Sequence, residues 1–271
     1  MLSFVNVIWG ARCGKSARRV LLGETRSRGH AYSVRRRRES ALTRQAPHGL
    51  PSSRLVSTIP FDRWMVKHHP HIPFERFADD LLCHCESEIQ ARELKDVLQR
   101  RFAECGLELH PSKTKIVYCK DDDRRGKYPN EKFDFLGYEF RPRRSKNRWG
   151  RFFVNFSPGA STAAMKAIRE RIRVWQLGCR VDRWIDDLAR MFNPVIRGWL
   201  NYYGRYYKSA LYPTLRYLNR CLARWAMAKY KRLRRHKRQA EHWVRKASLR
   251  DPKLFAHWSM LAGHGRTVRA G

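Results

Sequence analysis

Acidic residues are scarce in this chain of 271 residues: 24 Asp and Glu stand against 58 Lys and Arg, giving a formal charge of +34 and a pI near 10.8. That shortage argues against a small acidic molecule as the sole partner and for a polyanion, because so positive a surface repels itself without nearby counter-charge. Long apolar runs are also missing. No stretch approaches the roughly 20 uncharged apolar residues of a membrane-spanning helix, so no such helix and no membrane partner is predicted. The seven cysteines (Cys13, Cys83, Cys85, Cys105, Cys119, Cys179, Cys221) are scattered and include no CxxC pair, which excludes a zinc ribbon and a disulfide framework and suits a reducing compartment. Cys83, His84 and Cys85 stand near His68, His69 and His71. On a strand, however, Cys83 and Cys85 point opposite to His84 and cannot converge on one ion without a bend. Large apolar side chains are plentiful: 42% hydrophobic residues with 9 Trp, 13 Phe and 11 Tyr exclude a disordered basic tail.

Residues 1–58 differ in texture from the remainder of the chain. They hold 12 Lys or Arg, with the run Arg35–Arg38, but only Glu24 and Glu39 as acids. Three readings compete: a basic nucleic-acid-binding arm, a transit-like leader, or sequence foreign to the downstream fold through truncation or a shifted frame. The last is favoured, with disorder as its companion expectation. From about Ile59 the pattern is that of an ordinary core. Pro73–Phe77 and Leu81–Cys85 read as strands around Asp79–Asp80. A helix comes next, opened by Ser87 and Gln90 at capping-box spacing, carrying Ile89, Leu94, Val97, Leu98, Phe102 and Cys105, and stopped by Gly106. Leu107–Leu109 and Ile116–Tyr118 read as strands, Phe133–Phe140 as an apolar run and Arg141–Arg151 as a basic turn. Beyond it lie helical stripes: Met165, Ile168, Ile172 and Trp175, then Ile185, Leu188 and Phe192, with Pro194 interrupting before Val195–Tyr207. Pro213 can open a third helix, on which Leu215, Leu218, Leu222 and Trp225 form one face and Arg216, Arg220 and Arg224 another. The predicted class is α+β: short antiparallel strands with a helix over 59–156, an all-helical basic domain over 157–260, and a tail at 261–271.

Adjacent carboxylates between apolar strands are costly unless solvated or bound to a cation. Mg²⁺ accepts one or two carboxylates together with phosphate oxygens, and paired metals serve nucleotidyl transfer. By itself, Asp-Asp is an ordinary turn pair. From Arg205 to Lys246 cations interleave with Tyr206, Tyr207, Tyr212, Tyr217, Trp225, Tyr230 and Trp243, a pattern that suits RNA: charges track phosphates while rings stack on unpaired bases. For Trp225 and Leu222 plain core is the better reading.

Phe77-Ala-Asp-Asp80 resembles the YADD box of reverse transcriptases, with Phe for the usual Tyr. Gly106-Leu-Glu-Leu-His-Pro-Ser-Lys-Thr-Lys115 resembles the next palm motif, and Phe133-Asp-Phe-Leu-Gly-Tyr138 the primer-positioning segment. Met191-Phe-Asn-Pro-Val-Ile-Arg-Gly-Trp-Leu-Asn-Tyr-Tyr203 resembles the maturase, or domain X, signature of group II intron-encoded proteins. The resemblance, over about Phe61–Met260, implies a partial reverse-transcriptase palm followed by a thumb-like maturase domain that grips intron RNA. It implies Asp79 and Asp80 as catalytic, metal-binding carboxylates, with Mg²⁺ as cofactor if polymerase activity is retained, and Phe135, Leu136, Gly137 and Tyr138 as primer-positioning residues. Arg197, Trp199, Tyr202, Tyr203, Arg205, Lys208, Arg216, Arg220, Arg224, Lys229 and Arg232 are the RNA-binding candidates, and either Lys113 or Lys115 could approach phosphate.

The departures lie upstream. The family's third catalytic Asp has no counterpart, since Asp62 reads as a helix residue too near Asp79, and nothing in 1–58 resembles fingers. No endonuclease-like metal cluster is seen after Met260. The expectation is a truncated maturase that binds intron RNA and assists splicing. The alternatives are an active polymerase completed by another chain, a generic basic RNA-binding module, and a decayed remnant. Partners beyond the intron would be a DNA target or primer and a dNTP. The implied compartment is the bacterial cytoplasm, or alternatively an organelle.

Overall fold

The computed structural model describes residues 2–9, 32–33, 61–123 and 126–265. The chain divides into two compact units, 1–135 with 140–158, and 136–139 with 159–271.

The first unit is built on a mixed sheet. Strands β1 (Leu2–Trp9), β2 (Tyr32–Ser33), β3 (Phe74–Phe77), β4 (Asp80–Cys85) and β5 (Glu108–Leu109) lie in the order β2-β3-β4-β1-β5, and β6 (Lys115–Tyr118) also pairs with β1. β3 and β4 form the expected antiparallel hairpin, with Phe74 opposite Cys83 and Phe77 opposite Asp80. The expectation that 1–58 stands apart from this fold fails for Leu2–Trp9, which runs parallel to β4 and β6 and places Val7 beside Cys83 and Ile116. Val7 and Ile8 are consecutive yet both buried, as suits a strand covered on both faces, which leaves no alternation to read. The sheet is therefore mixed rather than antiparallel. The rest of the basic segment lies outside the described residues.

Residues 61–68 form helix α1, and Glu88–Glu104 form α2, whose Ser87 hydroxyl accepts from the Gln90 amide. Gly106, at φ 66°, ends α2 in the left-handed region that glycine tolerates. Ala91, Leu94, Leu98 and Phe102 of α2 join Phe61, Met65, Phe74, Leu81, Cys83 and Cys85 in one core. Ile89 and Cys105, expected on that stripe, are exposed. Cys83 and Cys85 both face the core and His84 does not, as strand alternation dictates. Burial pushes the Cys85 thiol up to about 12 and Cys83 higher still, so both behave as apolar core atoms.

A three-stranded sheet comes next, β7 (Phe133–Phe135), β8 (Tyr138–Lys146) and β9 (Phe152–Ala160). The apolar run Phe133–Phe140 forms a hairpin. One expectation changes here: the basic turn at Arg141–Arg151 is mostly strand, its turn confined to 147–151. Phe133 stacks on Phe140 at 4.8 Å with nearly parallel rings, and Phe156 lies beyond.

The second unit is helical: α3 (Thr162–Val174), α4 (Ile185–Tyr203), α5 (Tyr212–Lys229), α6 (Lys237–Arg250) and α7 (Ala256–Gly265). α4 runs through Pro194, which reads in the sequence as an interruption. A long amphipathic helix tolerates the missing amide bond when its buried face, Leu188, Phe192 and Ile196, is secured. Leu215, Leu218, Leu222, Trp225 and Ala226 of α5 are fully or nearly fully buried in the shared core.

Two asparagines, the buried Asn193 and the half-buried Asn219, tie α7 down. Asn193 of α4 accepts from the Ala256 amide at 2.9 Å, capping α7, while donating to the Leu254 carbonyl at 2.8 Å. Asn219 of α5 accepts from the Trp258 indole at 2.9 Å and lies 2.8 Å from His257 Nε2. His257 is fully buried, its Nδ1 has no hydrogen-bond partner, and burial lowers its pKa to about 3. A histidine whose folded pKa lies below its unfolded value stabilises above about pH 6.5, and the contribution drains as pH falls toward 3. Denaturant unfolding of the helical unit should therefore lose up to roughly 1.4 kcal/mol per pH unit on acidification below 6.5. In His257→Gln that pH slope should flatten, and an unchanged slope would show that another group titrates.

Candidate functional site

Asp79 and Asp80 sit at the tip of the β3–β4 hairpin, where Ala78 and Asp79 form a two-residue turn. Ala78 has φ 52°, a left-handed conformation that costs a non-glycine residue about 1 kcal/mol. The compensation is visible. Arg76 donates through Nε and Nη2 to both carboxylate oxygens of Asp62, each at 2.8 Å, and through Nη1 to the Ala78 carbonyl at 3.2 Å. Asp62 is thus a helix residue spent on holding Arg76, and Arg76 holds the turn that presents the two aspartates. Both carboxylates are half-buried and Phe77 beside them is 46% exposed. Burial raises the Asp80 pKa, the Asp79 charge raises it further, and Lys113 pulls it back. Lys113 is therefore the lysine whose charge reaches this pair.

The segment expected to position a primer folds differently from its neighbours. Leu136 and Gly137 form a two-residue turn with φ 50° and 76°, and residues 136–139 belong to the helical unit. Tyr202 donates to the Leu136 carbonyl at 2.8 Å, Tyr138 donates to the Tyr202 carbonyl, and the Ser161 amide donates to the Gly137 carbonyl at 2.9 Å. Burial and the surrounding tyrosines push the Tyr138 phenol well above its ordinary value, so it remains a donor at any physiological pH. A Cβ on Gly137 would fall 2.9 Å from the Tyr203 hydroxyl.

The RNA-binding candidates separate into two sets. Trp199 stacks on Trp175 at 5.4 Å, and Trp175 on Phe192 at 4.3 Å. Tyr202 and Tyr203 clasp the turn just described. Lys229 donates to the Val181 carbonyl at 2.8 Å and lies 4.3 Å over the Trp184 ring. These four make contacts within the unit, Tyr202 with much of its surface still exposed. Arg197, Arg205, Lys208, Arg216, Arg220, Arg224 and Arg232 are exposed. Trp225 is core, its indole donating to the Arg180 carbonyl at 2.9 Å. Sequence reasoning misses the partner of the arginine face: Arg216, Asn219 and Arg220 of α5 and Glu241, Arg245 and Ser248 of α6 line a groove of about 440 Å³. The signal is present, since Glu241 and Arg245 are one helical turn apart, but only the fold shows which face of α6 meets α5.

The family model for reverse transcriptase (RNA-dependent DNA polymerase) matches residues 14–140, and that for the group II intron maturase-specific domain matches 149–243. Together they span most of the chain, in the family's order. The chain belongs to the group II intron reverse transcriptases/maturases. No curated protein matches it. The polymerase match begins at residue 14 and so takes in much of the basic segment set apart above. Reverse transcriptases use divalent metal, and Asp79 with Asp80 suits one such ion: a cation would relieve the charge that raises the Asp80 pKa, and phosphate and water would complete its shell. Among the described residues no third His, Cys, Asp or Glu gathers with them.

Two outcomes test this geometry. A carboxyl with a raised folded pKa is stabilising below its unfolded value and costly once ionised. Asp80→Asn in this maturase should therefore melt higher than wild type at pH 7 in chelator, with the gap narrowing as Mg²⁺ is added; a lower melting temperature in chelator would contradict the buried-charge account. Gly137→Ala should destabilise the helical unit by more than the roughly 1 kcal/mol of its left-handed backbone, because the new methyl also meets the Tyr203 hydroxyl. Adding Tyr203→Phe should recover the excess, and a strictly additive double mutant would refute that contact.

Proposed function

We propose that this maturase binds its intron RNA through the helical unit and assists splicing by preferring the catalytic RNA fold. Assistance of that kind needs no bond-making by the protein, only greater affinity for one RNA conformation than for others. The observation that carries the reading is the α5–α6 groove, where Arg216, Arg220 and Arg245 converge with Asn219 and Ser248 against a single Glu241. Guanidinium groups there suit phosphates and the neutral polar groups suit ribose hydroxyls or base edges. Arg224, lying 5.9 Å from the Tyr217 ring and bonded to Cys221 at 3.1 Å, extends the same cationic face along α5. Asp79, Asp80 and Lys113 support a second reading, in which Mg²⁺ bound by the two carboxylates takes part in DNA synthesis on an RNA template; primer extension tests it.

The decisive experiment is a salt titration against the intron RNA and a size-matched unrelated RNA. The intron should keep its advantage as salt rises. Arg216→Ala/Arg220→Ala/Arg245→Ala should reduce the slope of log affinity against log salt by about 2, at roughly 0.7 for each phosphate no longer engaged. Equal affinities for both RNAs across the range would overturn specific recognition.

A further inference from the structure

The tip of the β8–β9 hairpin carries chemistry that neither the palm-like hairpin nor the helical groove uses. Between Phe140 and Pro158 there are six Lys or Arg (Arg141, Arg143, Arg144, Lys146, Arg148, Arg151) and no acid. Near the body of the unit the even-numbered face of the hairpin is core, with Phe140 and Phe156 buried. Alternation carries that same face outward to Arg144, Lys146 and Phe152. There Phe152 is 58% exposed, with the Arg144 guanidinium 4.0 Å and the Lys146 ammonium 5.6 Å from its ring centroid. At the turn Trp149 is 73% exposed, and the Arg148 guanidinium lies 4.1 Å from its ring.

The display is ordered by its own hydrogen bonds. Asn147 Oδ1 accepts from the Trp149 amide at 3.0 Å and from the Arg151 amide at 2.9 Å. The Asn147 amide donates to the Arg151 carbonyl and the Gly150 amide to the Asn147 carbonyl, with Gly150 at φ 85°. Two large rings are thus held out in water at the end of a β-ribbon, each beside a guanidinium. Leaving them exposed forgoes their burial energy, and a protein partner would have to supply carboxylates to meet these cations. Unpaired nucleotides satisfy both features at once: bases stack on the rings and phosphates pair with the cations.

We infer that the β8–β9 tip is a binding site for single-stranded polynucleotide, with Trp149 and Phe152 as stacking platforms and Arg144, Lys146, Arg148 and Arg151 as phosphate contacts. It lies on the first unit and stands independently of the helical groove. The test is fluorescence anisotropy of the full chain with a labelled unstructured 12-nucleotide RNA, its DNA equivalent and a duplex of the same sequence. Trp149→Ala/Phe152→Ala should weaken binding to a single strand about tenfold or more, the loss of one or two stacked bases, and leave the duplex within about twofold. Trp149→Phe/Phe152→Tyr, which keeps both rings, should retain wild-type affinity, and an unchanged melting temperature of the alanine variant shows that folding is intact. A preference for RNA points to intron sequence and a preference for DNA to a target strand; a loss on either supports the stacking site. Equal affinity of wild type and alanine variant for both single strands, or an equal loss on duplex, overturns it. The groove variant Arg216→Ala/Arg220→Ala/Arg245→Ala is the control that separates this outcome from failure of the helical reading.

Discussion

A shortage of negative charge governs how this molecule holds itself together. With more than two cations for every acid, acids are scarce as joints, and Asp187 with Arg190 and Asp182 with Arg183 are local pairs. Neutral groups make the long-range joints instead. Asn193 and Asn219 anchor α7, the Trp225 indole reaches the Arg180 carbonyl, and Trp175 is sandwiched between Phe192 and Trp199. Such joints lose nothing when salt screens the surface. They also leave most arginines facing outward, which is the condition for gripping a polyanion.

The first unit uses its scarce acids more selectively. The partly buried, bidentate Asp62–Arg76 pair is the strong kind of ion pair, and it is placed behind the turn that exposes Asp79 and Asp80. A left-handed alanine and two neighbouring carboxylates are both unfavourable in isolation. Here the one is held by Arg76 and the other eased by Lys113. The result is a hairpin tip that keeps two adjacent carboxylates half-buried, with the Lys113 charge in reach of Asp80.

Much of this is legible in the sequence because it rests on local rules. The β3–β4 hairpin, the Ser87 cap, the Gly106 stop and the α5 stripe come from alternation, capping and helical period. The features that escape such reading depend on tertiary placement. Val7 and Ile8 sit in a strand buried on both faces, and such a strand has no period to detect. Arg141–Lys146 reads as a turn because its charges mask a β-ribbon that leaves the core. Trp199 and Lys229 carry the composition of RNA contacts, and only the fold shows that they also make contacts within the unit. Arg245 can be assigned only once α6 is laid against α5. The carboxylate pair is found by motif, while its buttress of Asp62 and Arg76 requires the fold.

The tyrosine clasp on the Leu136–Gly137 turn bears on how such proteins can be recombined. Three residues from the polymerase side of the sequence, Leu136, Gly137 and Tyr138, complete the hydrogen-bonding of the helical unit, so the structural seam and the motif seam do not coincide. A graft cut where the maturase match begins, at residue 149, would strip Tyr202 of its acceptor and leave Tyr138 behind. A chimera that takes the helices must therefore carry the turn with them if the clasp is to close.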